Sequence, residues 1–192
     1  MDPWRRHGSQ RLHDCRVFDL DRVRLAPPDG GPPHDFYVLS APDWVNIVPL
    51  TDDGRVVLIR QYRFGIEGFT LEIPGGMCDG NEPPLEAAAR EMSEETGYEA
   101  REIVPLGWVH PNPAIQNNRC HSFLARGATR AGEPRPDPHE RFEIVTEPLS
   151  EIPRLIREGA ITHSLVVAAF HLLGVTSGTE PGSRRANAAS ER

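Results

Sequence analysis

Three carboxylates, Glu91, Glu94 and Glu95, stand three and four residues apart in a stretch that reads GMCDGNEPPLEAAAREMSEETGY over residues 76–98. On a helix that spacing puts them on one face within a turn of each other, where like charges repel. Clustered carboxylates offer the hard oxygen ligands that Mg2+ or Mn2+ prefers, and a divalent ion would turn the repulsion into coordination. A bare E-x-x-E-E by itself reads as a solvated charged face.

The element that must position them is a helix after a loop. Leu85, Ala88, Ala89, Met92 and Thr96 recur at three- and four-residue steps and form one mostly apolar stripe. Pro83 and Pro84 fit only its first turn, Asp79 or Asn81 can cap it, and Asp79 with Glu82 is spaced like a capping box. Gly97 stops it. A short strand over residues 69–73 feeds Pro74-Gly75-Gly76, read as a tight glycine turn.

Along the rest of the chain, residues 1–14 are polar and expected to be poorly ordered. Alternating apolar positions over 15–25 suggest one or two strands, 27–33 is a turn-rich connection, and 36–39 is a strand. Together they make an N-terminal antiparallel strand element over residues 1–43. Residues 44–50 and 55–62 are β-branched runs joined by Thr51-Asp52-Asp53-Gly54, the strongest hairpin signal in the chain. Strands follow over 100–109, 121–125 and 142–146, with a polar, Pro-rich mobile loop at 128–138. Helices are expected over 151–158 and 162–173, the second burying Leu165, Val166, Ala169, Phe170 and Leu173. The mixture without a regular βαβ rhythm predicts an α+β, mixed α/β sandwich over 44–174, and residues 175–192 read as a disordered tail.

A chain of 192 residues suits one domain with extra elements. The net charge of −7 argues against a broad nucleic-acid surface, so any phosphate-bearing ligand should be small and met locally by metal ions and a few arginines. No apolar run approaches the ~20 residues that span a bilayer, and the N-terminus has no apolar signal core, so no membrane role and a cytoplasmic protein are expected. Cys15, Cys78 and Cys120 suggest neither a disulfide framework nor a zinc site.

With Gly76, Glu82, Arg90, Glu91, Glu94, Glu95 and Gly97 at their offsets and Met92 at an aliphatic position, the stretch resembles the signature of the Nudix hydrolases. Tyr98 stands where an aliphatic residue is usual. The resemblance covers roughly residues 44–173 and implies a mixed sheet between helices and hydrolysis of a nucleoside diphosphate linked to another moiety. Residue by residue it implies Glu91 and Glu95 as ligands of Mg2+ or Mn2+, Glu94 as ligand or base, and the Gly75 carbonyl as a further ligand. Glu82 would act at one remove or through water, and Arg90 would orient the glutamates, a role that a structural ion pair does not exclude.

The order RQYR, LEIPGG, helix, then a loop with Pro111 and Pro113 is similar to the branch of ADP-ribose and nucleoside-diphosphate-sugar pyrophosphatases. Residues 110–121 depart from the serine-glycine loop usual in the ADP-ribose enzymes, which leaves GDP-mannose or another nucleotide sugar open. Arg60 and Arg63 are three apart on a strand, so at most one faces a ligand, and the resemblance favours Arg63. Trp44 is a candidate for base stacking that more commonly would be core or interface, and Pro113 a candidate substrate contact. The branch also implies a late-loop glutamate that activates water: Glu140 first, with Glu143 and Asp137 as alternatives. His110, His121 and His163 read as surface or structural. The expected partners are a small nucleotide substrate and a second copy of the chain, with the N-terminal element forming the homodimer contact. Rival readings are a non-catalytic nucleotide-binding module, a nucleic-acid-directed hydrolase and an isoprenoid diphosphate isomerase. The first would show a broken glutamate set, where here the set is intact, and the second a basic region, where the chain is acidic. The third would need a catalytic cysteine ahead of the motif helix, whereas Cys78 lies inside the motif loop, the wrong place by the resemblance.

Overall fold

Strands β1 (Arg5–Cys15), β2 (Phe18–Ala26) and β3 (His34–Ser40) form an antiparallel sheet in that order in the computed structural model, which describes residues 1–135 and 141–176. The expectation of disorder over residues 1–14 is therefore corrected. β1 pairs with β2 from Arg5 opposite Ala26 to Cys15 opposite Phe18. Its side chains are nearly all exposed, so no apolar alternation marks it. What holds it is the backbone ladder and cross-strand charge, Arg11 meeting Asp19 at 2.7 Å and Asp21 at 3.3 Å.

The following elements are β4 (Trp44–Leu50), β5 (Arg55–Arg63), β6 (Gly68–Glu72), β7 (Gly75–Met77), α1 (Pro84–Thr96), β8 (Tyr98–Glu99), β9 (Glu102–Val109), β10 (Cys120–Arg126), β11 (Thr129–Arg130), β12 (Phe142–Pro148), α2 (Ile152–Arg157) and α3 (Ser164–Thr176). The main sheet runs β12-β5-β4-β10-β9, with β4 and β10 parallel. The turn between β4 and β5 is the expected one, with the Gly54 N–H donating to the Thr51 carbonyl at 3.0 Å. Its ladder, however, is a single pair, Leu50 opposite Val56. Beyond that pair the two strands part and the chain from 68 to 77 takes the vacated edges: β6 pairs with β5, and β7 with β4. The crossing is pinned by the Ile47 N–H on the Pro74 carbonyl at 2.9 Å. Gly75-Gly76 is therefore strand, not a tight turn.

Alternation along β4 splits the core into two layers. Val45 and Ile47 pack with Ala87, Ala88 and Met92 of α1 on one face. Val48 packs with Leu155 of α2 and Val166, Ala169, Phe170 and Leu173 of α3 on the other. A mixed sheet between helices results, as expected, and the anticipated α3 stripe is buried throughout. No helix of the described residues is long and apolar enough to cross a membrane.

Candidate active site

The helix α1 starts at Pro84 after Pro83, with no side-chain cap. The expected capping box is replaced by a turn ahead of the helix. There the Glu82 N–H donates to the Asp79 carbonyl at 2.8 Å and the Asp79 N–H to Glu82 Oε2 at 3.1 Å. The two prolines supply fixed φ and, having no N–H, leave no donor of their own to be capped. The buried face is also rotated from the one expected: Ala87, Ala88, Met92, Glu95 and Thr96 point inward, and Leu85 is exposed. A buried carboxylate needs a partner, and the Gly75 N–H donates to Glu95 Oε2 at 3.0 Å. Gly97, at φ 71°, closes the helix with its N–H on the Ser93 carbonyl.

Arg90 organises the acidic face. Its Nε and Nη2 each lie 3.0 Å from an oxygen of Glu82, a bidentate pair. Its Nη1 lies 3.0 Å from Glu91 Oε1 and 3.0 Å from Glu94 Oε2, while Nη2 also donates to the Met77 carbonyl at 3.2 Å. Only a planar five-donor guanidinium can serve three carboxylates and a carbonyl at once. The Arg90 bond, helped by the Asp79 N–H, holds the Glu82 carboxyl below its usual value. In return, the Glu82 bond outweighs burial and raises the already high Arg90 value. The two glycines permit this closeness: a Cβ on Gly75 would overlap the Val45 carbonyl oxygen, and one on Gly76 would overlap the Glu91 carboxylate.

These groups line a cavity of about 770 Å³. Glu91, Glu94, Glu95, Arg90, Asp79 and residues 75–77 form one part of the wall, and Gln61, Tyr62, Arg63 and Phe64 of β5 and its turn another. Val17, Arg135 and Arg141 also line it. A second hollow of about 380 Å³ between α2 and α3 is lined mostly by apolar residues, among them Leu149, Ile152, Ile156, Val167 and Phe170, with His171 beside them.

The donor set fits a hard divalent cation, because Glu91, Glu94, Glu95 and Gly75 border one cavity and all their donors are oxygens. In the arrangement seen, Arg90 bridges Glu91 and Glu94, and no group of three His, Cys, Asp or Glu side chains among the described residues is gathered to metal-binding distance. Loading an ion would therefore require these carboxylates to turn toward it.

The other sequence candidates are placed as follows. Arg63 borders the cavity and pairs bidentately with Glu72 at 2.7 Å in both bonds; Glu72 is 2% exposed. Arg60 faces away, 3.3 Å from Glu143 and 4.7 Å from the Phe69 ring centroid. Trp44 sits between Met77 and Cys120 at the start of β4 and does not border the cavity. Pro113 is exposed in a loop bound to β3, whose Leu39 N–H donates to the Ile115 carbonyl at 2.7 Å. Glu140 and Asp137 lie outside the described residues. His121 sits 3.0 Å from Asp43, His110 3.2 Å from the Asn118 carbonyl, and His163, its pKa lowered by burial, accepts from the Leu165 N–H. The sequence reading passed over Glu72, Gln61, Arg135 and Arg141. A lone glutamate in the apolar run 69–73 was the available signal for Glu72, since a charge in a buried strand demands a partner. Gln61 Oε1 is buried with no hydrogen-bond partner among the described residues.

Residues 42–170 match the NUDIX domain model, and the chain belongs to the Nudix family. It is 30% identical over 173 residues to the CMP-5'-(N-acetyl-N-hydroxy-3-aminopropyl)phosphonate hydrolase of Streptomyces rubellomurinus, covering 90% of this chain and 83% of that protein. It is 27% identical over 167 residues to the ADP-ribose pyrophosphatase of Bacillus subtilis, covering 86% and 90%. A crystal structure of an ADP compounds hydrolase superposes with a TM-score of 0.81 at 24% identity, over 93% of this chain and 96% of that one, a likeness of fold. The intact glutamate set and these relatives make it an enzyme of the Nudix pyrophosphohydrolase class.

Proposed function

We propose that the enzyme hydrolyses the diphosphate bond of ADP-ribose or another nucleoside diphosphate sugar, giving a nucleoside monophosphate and a sugar phosphate. The observation that carries this is the Arg90-centred array of Glu82, Glu91 and Glu94 beside the buried Glu95, all but Glu82 lining a cavity large enough for a nucleotide. The pyrophosphatase relatives support the substrate class.

Mg2+ or Mn2+, when bound, would neutralise the diphosphate and lower the pKa of the attacking water. Glu91, Glu94, Glu95 and the Gly75 carbonyl would hold it. Arg90 keeps Glu91 and Glu94 from splaying apart, and the Gly75 N–H fixes Glu95. Water attacks one phosphorus, its proton passes to a carboxylate, and the bridging oxygen leaves with the other phosphoryl group. Glu140 is our first candidate for that carboxylate, with Glu143 and then Asp137 behind it, and Glu94 serving as ligand or base. A large kcat loss in Glu140→Gln with KM little changed would bear it out, and a loss confined to Glu143→Gln would move the role. Arg63 contacts the substrate, and Glu72 sets its orientation. We further propose that residues 1–43 form a homodimer arm on a hydrolase domain over 44–174.

The test is phosphate release, coupled to an added phosphatase, from a panel of ADP-ribose and nucleotide sugars. The expected result is metal-dependent release from at least one of them. Identity to the Streptomyces hydrolase favours a second reading, a nucleotide joined to a phosphonate, so the panel includes a CMP-phosphonate. No hydrolysis of any diphosphate sugar would overturn the first reading.

A further inference from the structure

Among the described residues four arginines border the cavity, and they divide into two kinds. Arg63 is paired bidentately with Glu72, and Arg90 is engaged with Glu82, Glu91 and Glu94, so the charge of each is already met by protein carboxylates. Arg135 and Arg141 line the same cavity, are exposed, and make no side-chain hydrogen bond or ion pair among the described residues.

Their placement is not incidental to the fold, because each backbone is anchored to an element that supplies the site. The Arg135 N–H donates to the Glu94 carbonyl at 2.7 Å, and the N–H groups of Ala131 and Gly132 cap the same helix end on the Gly97 carbonyl at 2.8 and 3.0 Å. Arg141 directly precedes Phe142, which pairs with Gln61 on the strand that carries Tyr62 and Arg63 into the cavity. Helix α1 thus fixes one cation and strand β5 the other.

Charge gives the pair a use. The chain is net negative, and Asp79, Glu91, Glu94 and Glu95 line the cavity, so an anion enters only if local positive charge offsets them. A diphosphate bridging two groups carries one ionised oxygen on each phosphorus. Arginine forks match such oxygens bidentately, and no carboxylate among the described residues occupies these two.

We propose that Arg135 and Arg141 clamp the two phosphoryl groups of the substrate and so set selection for a diphosphate over a monoester; this rests on the function proposed above. The pair binds the anion and takes no part in proton transfer, so its loss should weaken binding while leaving turnover largely intact.

The test uses the full chain with Arg135→Gln, Arg141→Gln, the double variant and Arg135→Lys with Arg141→Lys. Two readouts are taken, steady-state kinetics on the substrate that the panel identifies and calorimetric binding of ADP. Each single Gln change should raise KM and the ADP Kd about tenfold with kcat within about threefold, as expected for one lost charge-assisted bond. The double Gln variant should flatten the dependence of ADP binding on salt, and the double Lys variant should recover part of the affinity and most of that dependence. Thermal midpoints should stay at the wild-type value. ADP affinity and salt dependence unchanged in the double Gln variant, or a kcat loss at constant KM, would overturn the clamp. If the wild type hydrolyses no diphosphate sugar yet loses ADP binding in the variants, the function proposed above fails and the clamp stands.

Discussion

Arg90 is the residue through which the acidic site is held together, because three carboxylates and one carbonyl share its five donors. A lysine carries its three donors on one compact nitrogen and cannot span Glu82 while reaching Glu91 and Glu94. Arg90→Lys should therefore lower kcat by roughly ten- to a hundredfold, in line with the loss of an outer partner that orients ligands. It should also lower the thermal midpoint by a few degrees, since about 1 kcal/mol shifts a chain of this size by roughly 2–4 °C. An unchanged kcat would make the array merely structural. Glu82, Arg90 and the three helix glutamates were legible in the sequence because they lie within one short segment at fixed spacing. Glu72 and Arg135 were not. Glu72 acquires its role from Arg63 across a hairpin, and Arg135 from a backbone bond to Glu94, contacts that no local pattern announces.

At the scale of elements, β7 lies so close to β4 at Gly75 and to α1 at Gly76 that neither position admits a Cβ without a clash. At Gly76 the obstacle to a Cβ is the Glu91 carboxylate, the end of a side chain that can swing away. Gly76→Ala should thus fold normally and lose most activity. At Gly75 the obstacle is the Val45 backbone, which cannot move alone. Gly75→Ala should lose activity and also unfold at lower denaturant than Gly76→Ala; equal stabilities in urea melts would contradict this. The segment from 118 to 121 is tied to the start of β4 through Asp43, which lies 3.0 Å from His121 and accepts the Arg119 N–H at 2.8 Å. Burial acts to raise the Asp43 carboxyl, but the bonds from His121 and the Arg119 N–H outweigh it and hold it below the ordinary aspartate value. A carboxyl depressed in the folded state adds stability above its unfolded value of about 3.9, and that stability is lost as pH falls through the folded value. Asp43→Asn should be less stable than wild type at pH 6, with the gap closing below about pH 4. Most strands were legible from β-branched runs and turns. β1 was not, because an exposed edge strand has no apolar alternation, and β7 was not, because paired glycines read as a turn. The phase of α1 was missed because its buried face includes Glu95, a charge that periodicity assigns to solvent.

For the whole molecule, the sandwich was legible because α3 and β4 carry long apolar patterns, whereas the way the N-terminal sheet meets the site was not. Val17, at the turn between β1 and β2, borders the cavity, so residues 1–43 contribute to the site within one chain as well as offering an exposed edge strand to a second. With the homodimer arm proposed above, removing them should convert dimers to monomers by light scattering and raise KM. A truncated chain of unchanged oligomeric state and KM would remove both roles. The central claim, that the helix glutamates hold a divalent ion for diphosphate hydrolysis, is tested most directly by one comparison of wild type with Glu95→Gln. Hydrolysis of the best panel substrate is followed across an Mg2+ titration, and folding is checked by circular dichroism. The expected result is activity that vanishes with a chelator in the wild type and a Glu95→Gln protein that is folded yet slower by orders of magnitude at saturating Mg2+. A folded Glu95→Gln enzyme with near-wild-type kcat, or hydrolysis that persists in chelator, would contradict it.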